Sequence, residues 1–124
     1  MDKKTVLSLS PNQDALAVRE ATLRRAGFEV LSVLSPIQAR FEFEMGRCGV
    51  LVICYRVPKD ETEGLTRLFR KNCPKGRVIF VIQPGQKQEV PRGMDRAVPE
   101  SRCGEMVLEA VKDADKPPDS RNAA

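Results

Sequence analysis

Val50-Leu-Val-Ile-Cys-Tyr-Arg-Val-Pro58 decides the fold. Its first five residues are almost wholly apolar, the pattern of a strand buried on both faces of a parallel sheet. Cys54, Tyr55 and Arg56 stand at its end, where an open α/β sheet places its ligand site, and Pro58 then stops the ladder.

Working outward, Thr5–Leu9 reads as a first strand. In Ser10-Pro11-Asn12-Gln13, Ser10 reads as a helix cap worth about 1 kcal/mol, with Pro11 at the first helical position. The helix runs to Ala26 with Ala15, Val18, Thr22 and Ala26 on one face, and Gly27 ends it. Phe28–Leu34 is a second strand. Ser35-Pro36-Ile37-Gln38 repeats the capping arrangement and opens a helix whose Ile37, Phe41 and Met45 share one stripe, closed at Gly46. Beyond the Val50–Cys54 strand, Leu65, Leu68 and Phe69 mark the inner face of a third helix, ended by Pro74 and Gly76. Val78–Ile82 is another buried-type strand.

The segment 83–92 breaks the pattern. It has prolines near both ends and almost no apolar stripe, so at most one helical turn fits. A short strand at Arg96–Val98 and a helix over about Arg102–Ala114 follow, the latter carrying Met106, Val107, Ala110 and Val111. Repeated β-α units with short links demand a parallel sheet flanked by helices. The expected fold is α/β, a five-stranded doubly wound sheet of order 2-1-3-4-5 (flavodoxin-like), with the fourth helix shortened or missing. One domain over 1–114 and a disordered tail over 115–124 are expected, because the tail is polar and contains Pro117-Pro118.

Composition narrows the function. With 124 residues, 41% hydrophobic and 31% charged, the chain suits one soluble domain with its own core. No apolar run approaches the roughly eighteen residues of a membrane span, and Met-Asp-Lys-Lys leads straight into a strand, so a cytoplasmic protein with no membrane partner is expected. The chain lacks histidine, which removes Ser–His and Cys–His catalysis. Cysteines at 48, 54, 73 and 103 contain no C-x-x-C, so neither a zinc site nor a thioredoxin-like motif is supported. No cofactor and no enzymatic activity are expected. Net charge is +4, with the densest basic run from Arg67 to Arg77. Only Phe69 interleaves that run, which argues against nucleic acid; basic residues at a helix end also complement its dipole, and the solvated helix end is preferred.

Several features together resemble the receiver domain of two-component response regulators, over roughly residues 4–113. They are the strand-end positions, Leu23-x-x-x-Gly27-Phe28-Glu29-Val30, Pro58 four residues past Cys54, and Gly93-Met94-Asp95 before the last strand. The resemblance implies a phosphorylation pocket: two acidic residues holding Mg²⁺, a phosphoacceptor aspartate, a Ser or Thr, and a Lys. Counted in register, the acidic pair falls on Ser10 and Pro11, the phosphoacceptor on Cys54, the hydroxyl on Ile82 and the lysine on Glu100. All five are replaced, and hard oxygen ligands, a carboxylate nucleophile and a balancing cation go with them. A carboxylate restored at position 54 is expected to stand unpaired, with Glu100 opposing it.

The resemblance therefore implies a degenerate, pseudo-receiver signalling module. It would be independent of phosphorylation and act by binding a kinase, a response regulator or itself, with Tyr55 and Arg56 as a candidate contact surface. Two alternatives stand beside it: a thiol redox switch at Cys54, if Arg56 or a helix N-terminus lowers its pKa, and a weak nucleic-acid adaptor using Arg67–Arg77. For Cys54 the plainer reading, a buried position filled by a small apolar residue, is preferred.

Overall fold

The computed structural model describes residues 5–46, 49–85 and 89–114. The 115–124 tail, Cys48 and the middle of the 83–92 segment therefore lie outside the described residues. Five strands, β1 (Thr5–Leu9), β2 (Glu29–Val33), β3 (Val50–Cys54), β4 (Arg77–Ile82) and β5 (Arg96–Pro99), form one parallel sheet of order β2-β1-β3-β4-β5. The helices are α1 (Gln13–Arg25), α2 (Pro36–Glu44), α3 (Lys59–Asn72) and α4 (Glu105–Ala114). This is the doubly wound order expected from the sequence. Between β4 and β5 the described residues contain no helix.

Strand alternation splits the core into two layers. Val6, Val50, Val52, Ile79, Val81 and Val98 meet Leu23 of α1 and Val107, Ala110 and Val111 of α4. On the other face Leu7, Leu9, Leu51, Ile53 and Val78 meet Ala39 and Phe43 of α2 and Leu65 and Phe69 of α3. β3 contributes to both layers and every one of its residues is buried, which is why its sequence reads as an unbroken apolar run. Phe43 and Phe69 meet edge to face, with centroids 5.9 Å apart, and join α2 to α3.

Three local expectations are corrected. Asn12, not Ser10, caps α1: its Oδ1 accepts from the Ala15 N–H at 2.9 Å. Ser10 is fully buried one step earlier, its N–H donating to the Val33 carbonyl and its Oγ accepting from the Asn12 N–H at 3.1 Å. The turn thus needs two residues between β1 and the cap, so Pro11 precedes the helix. The inner face of α1 is Leu16, Arg19 and Leu23, while Val18 is exposed. The α2 stripe of Ile37, Phe41 and Met45 faces outward, and Ala39 and Phe43 point in. A helix this short needs only two inward residues to close over the sheet.

The described part of the segment between β4 and β5 is fastened to α3. Glu89 pairs with Lys59, and the Arg92 N–H donates to Glu63 Oε2 at 2.9 Å. Arg70 donates to the Gly93 carbonyl and to Asp95 Oδ2, at 2.6 and 2.8 Å. Asp95 Oδ2 also accepts from the Val78 N–H at 2.7 Å, which fixes the approach to β5.

Candidate functional site

The carboxyl ends of β1, β3, β4 and β5 open onto a cleft of about 300 Å³. It is lined by Asn12, Asp14, Val18 and Arg19 from the α1 end, by Arg56, and by Glu100, Ser101 and Arg102 after β5. Parallel strands all end on this side, so the loops that follow them converge here.

Glu100 is the hub. Its Oε2 accepts from Arg19 Nη2 at 2.8 Å and from Arg56 Nη1 at 3.3 Å. Arg19 is 2% exposed, and its Nη1 has no hydrogen-bond partner among the described residues. An isolated buried guanidinium is costly, so Glu100 is what makes Arg19 tolerable there. The Glu100 N–H is in turn held by the Ile82 carbonyl at 3.0 Å, which sets the carboxylate at the mouth of the cleft.

Cys54 is fully buried at the end of β3. Its Sγ accepts from the Arg56 N–H and from Arg56 Nη1, both at 3.5 Å. The turn that makes this possible begins where the Val57 N–H donates to the Cys54 carbonyl. Burial alone would lower the Arg56 pKa, but the bond to Cys54 and the Glu100 charge outweigh it, and the value is raised. The Arg56 guanidinium also lies 4.6 Å from the Tyr55 ring centroid. Desolvation, then the Glu100 carboxylate, pushes the Tyr55 phenol above its ordinary value of 10.0.

The five positions aligned to a phosphorylation pocket are thus brought to one end of the sheet, but only Cys54 and Glu100 join the charged cluster. Ser10 spends its hydroxyl on the chain turn, Pro11 is exposed, and Ile82 contributes its backbone. Arg56, given from the sequence as part of a candidate contact surface, turns back into the cluster. A carboxylate at position 54 would find Arg56 beside it, which corrects the expectation that it would stand unpaired.

The residues present do not fit a divalent cation. The carboxylates lining the cleft are Asp14 and Glu100, and Glu100 is committed to two guanidiniums. Among the described residues no group of three or more His, Cys, Asp or Glu side chains gathers anywhere. Sequence reasoning missed Arg19, which reads as a solvated helix residue. The available signal was its i+3 and i−4 spacing to Leu16 and Leu23, the two buried leucines of α1.

A scan against family models finds no match for this sequence, and neither does a search of curated proteins. Solved structures do match in shape. A CheY-like response regulator receiver domain protein from Methanospirillum hungatei superposes with a TM-score of 0.76 at 18% identity, over 90% of this chain and 93% of that one. A CheY-like receiver domain from Methylobacillus flagellatus gives 0.76 at 15% identity, over 92% and 100%. The response regulator TrrA from Thermotoga maritima, solved with Mg²⁺-BeF, gives 0.75 at 16% identity, over 90% and 98%. The fold is therefore the receiver fold across the described sheet. Among the described residues no helix is long and apolar enough to cross a membrane.

Proposed function

We propose that this chain is a receiver-fold module of two-component signalling that binds a protein partner and is not switched by phosphorylation. One observation carries the reading. The strand-end cleft, where the family's chemistry takes place, is occupied by a closed charge cluster in which Glu100 bridges Arg19 and Arg56, and Arg56 covers Cys54. Such a cluster needs no phosphoryl group to complete it, and it supplies neither a carboxylate nucleophile nor a pair of free acidic ligands. The partner class that fits is a sensor kinase or another response regulator.

The test has two parts. Intact-mass measurement after incubation with acetyl phosphate and Mg²⁺ should show the unmodified protein. Affinity purification at native abundance should recover a signalling protein, in equal amount with and without the phosphoryl donor. A stoichiometric adduct with the mass of one phosphoryl group, or a partner held only after donor treatment, would overturn the reading.

A further inference from the structure

The strand-end cleft keeps donors that the charge cluster does not use. Arg19 lines it, is almost wholly withdrawn from water, and has no hydrogen-bond partner for Nη1 among the described residues. A buried donor left unmade is costly, so an acceptor arriving there gains what the folded chain alone does not supply. Asn12 spends Oδ1 on the Ala15 N–H, which leaves its Nδ2 to donate. Arg102, exposed after β5, also lines the cleft and pairs with none of the described carboxylates.

Charge selects the class of ligand. Arg19, Arg56 and Arg102 stand around the cleft with Asp14 and Glu100, three cations against two anions. The N-terminus of α1, where Asn12 caps the helix, adds partial positive charge. One negative charge balances this set, and a phosphate dianion exceeds it. Ala15 and Val18 of α1 and Pro84 after β4 give the cleft an apolar wall. Its volume of about 300 Å³ is at the lower end of the range for small-molecule sites.

We propose that the cleft binds a small organic acid non-covalently, its carboxylate on Arg19, Asn12 and Arg102 and its apolar body against Ala15, Val18 and Pro84. None of these six residues is among the five aligned to the phosphorylation pocket, so the site is not a remnant of that pocket. A guanidinium fork takes a carboxylate through two parallel bonds, which gives Arg102 the anchoring role and Arg19 the inner one. The proposal does not depend on the signalling reading, and its test uses neither a phosphoryl donor nor a protein partner.

Benzoate is a suitable probe, with one carboxylate on a compact ring. Titrated at fixed ionic strength into the isotope-labelled full chain, it should shift the amide resonances of Ala15, Val18 and Arg102 along one saturating curve, at a Kd of about 1–10 mM. Benzyl alcohol, which keeps the ring and lacks the charge, should give no saturating shift. Inorganic phosphate, which has charge and no apolar body, should bind at least about fivefold more weakly than benzoate. Arg102→Met should weaken benzoate at least about fivefold and leave the urea midpoint near wild type, since Arg102 is exposed. Arg19→Met, which fills the same space, should weaken it as well. No saturating shift with benzoate would overturn the proposal, and so would binding indifferent to Arg102→Met. Phosphate bound as tightly as benzoate, or benzyl alcohol bound at all in the cleft, would overturn the assignment to an organic acid.

Discussion

Arg19 Nη2 and Glu100 Oε2 lie 2.8 Å apart, although the two residues are 81 positions apart in the chain. The contact ties the second turn of α1 to the loop after β5. It also assigns Glu100 a role that its sign in the sequence does not announce, as the counterion of a guanidinium whose Nη1 has no hydrogen-bond partner among the described residues.

Truncating Arg19 should separate packing from charge. Arg19→Ala leaves a cavity and a half-unpaired Glu100 and should cost about 2–4 kcal/mol. Arg19→Met fills the space and removes the unsatisfied Nη1, so it should cost roughly 1 kcal/mol or less. Urea unfolding at neutral pH measures both. Equal losses for the two variants would mean that the ion pair, not the packing, holds α1 here.

Glu100→Lys, which reverses the charge at this position, should destabilise the fold by about 3–5 kcal/mol by setting a third cation beside Arg19 and Arg56. Glu100→Gln keeps the shape and an acceptor and should lose less than half as much. The ranking, read from urea midpoints at unchanged m, is the prediction; Lys tolerated as well as Gln would contradict the cluster.

The single tyrosine gives a clean pH readout, since the chain contains no tryptophan. Absorbance at 295 nm should show the Tyr55 phenol titrating above its ordinary value of 10.0, because desolvation and then Glu100 oppose its anion. A raised folded value means the folded state holds the proton longer, so this contribution to stability is complete below the unfolded pKa. It is lost as pH rises through the folded one. Glu100→Gln should move the titration back down, and no movement would remove Glu100 as a cause.

Cys54→Asp should acquire Arg56 as a partner, because Nη1 already stands 3.5 Å from the sulfur. The double mutant with Arg56→Leu should therefore lose about 1–3 kcal/mol more than the two single losses together. Additive losses would show that the new carboxylate does not reach the guanidinium.

At Gly76 an added Cβ would sit 2.5 Å from the Phe69 ring, which is fully buried and braced against Phe43. Gly76→Ala should cost about 1–3 kcal/mol by overpacking, measured by thermal or urea unfolding. Phe69→Leu in the same chain should recover part of that loss.

How much of this could be read from the sequence depends on whether a residue's surroundings are local. β3 and β4 are legible because strands buried on both faces need apolar side chains at every position, whatever lies beyond them. The strand order follows from the short right-handed crossovers. The helix faces are less legible. α2 hides Ala39 and Phe43 and shows Ile37 and Phe41, with Met45 exposed just past its end, so its amphipathicity points away from the sheet. Arg19 is the extreme case: its burial is set by Glu100, which no window of neighbouring residues contains. Of the positions counted from the family's spacing, Glu100 lines the cleft and Cys54 lies against Arg56. Their roles were not legible, because the two guanidiniums they meet, Arg19 and Arg56, lie outside that spacing.

Arg70 gives the link between β4 and β5 a dynamic consequence. Its two terminal nitrogens reach the Gly76 carbonyl at 3.1 Å, the Gly93 carbonyl and the Asp95 carboxylate, so one side chain clasps the end of α3, the turn into β4 and the approach to β5. β5 is a four-residue edge strand, the kind of element that would otherwise peel away first. With the clasp closed, β5 and the last turn of α3 open together or not at all. Their slow amide protons should therefore exchange with deuterium through one shared event, and the edge of the sheet borrows its lifetime from a helix it does not touch in sequence.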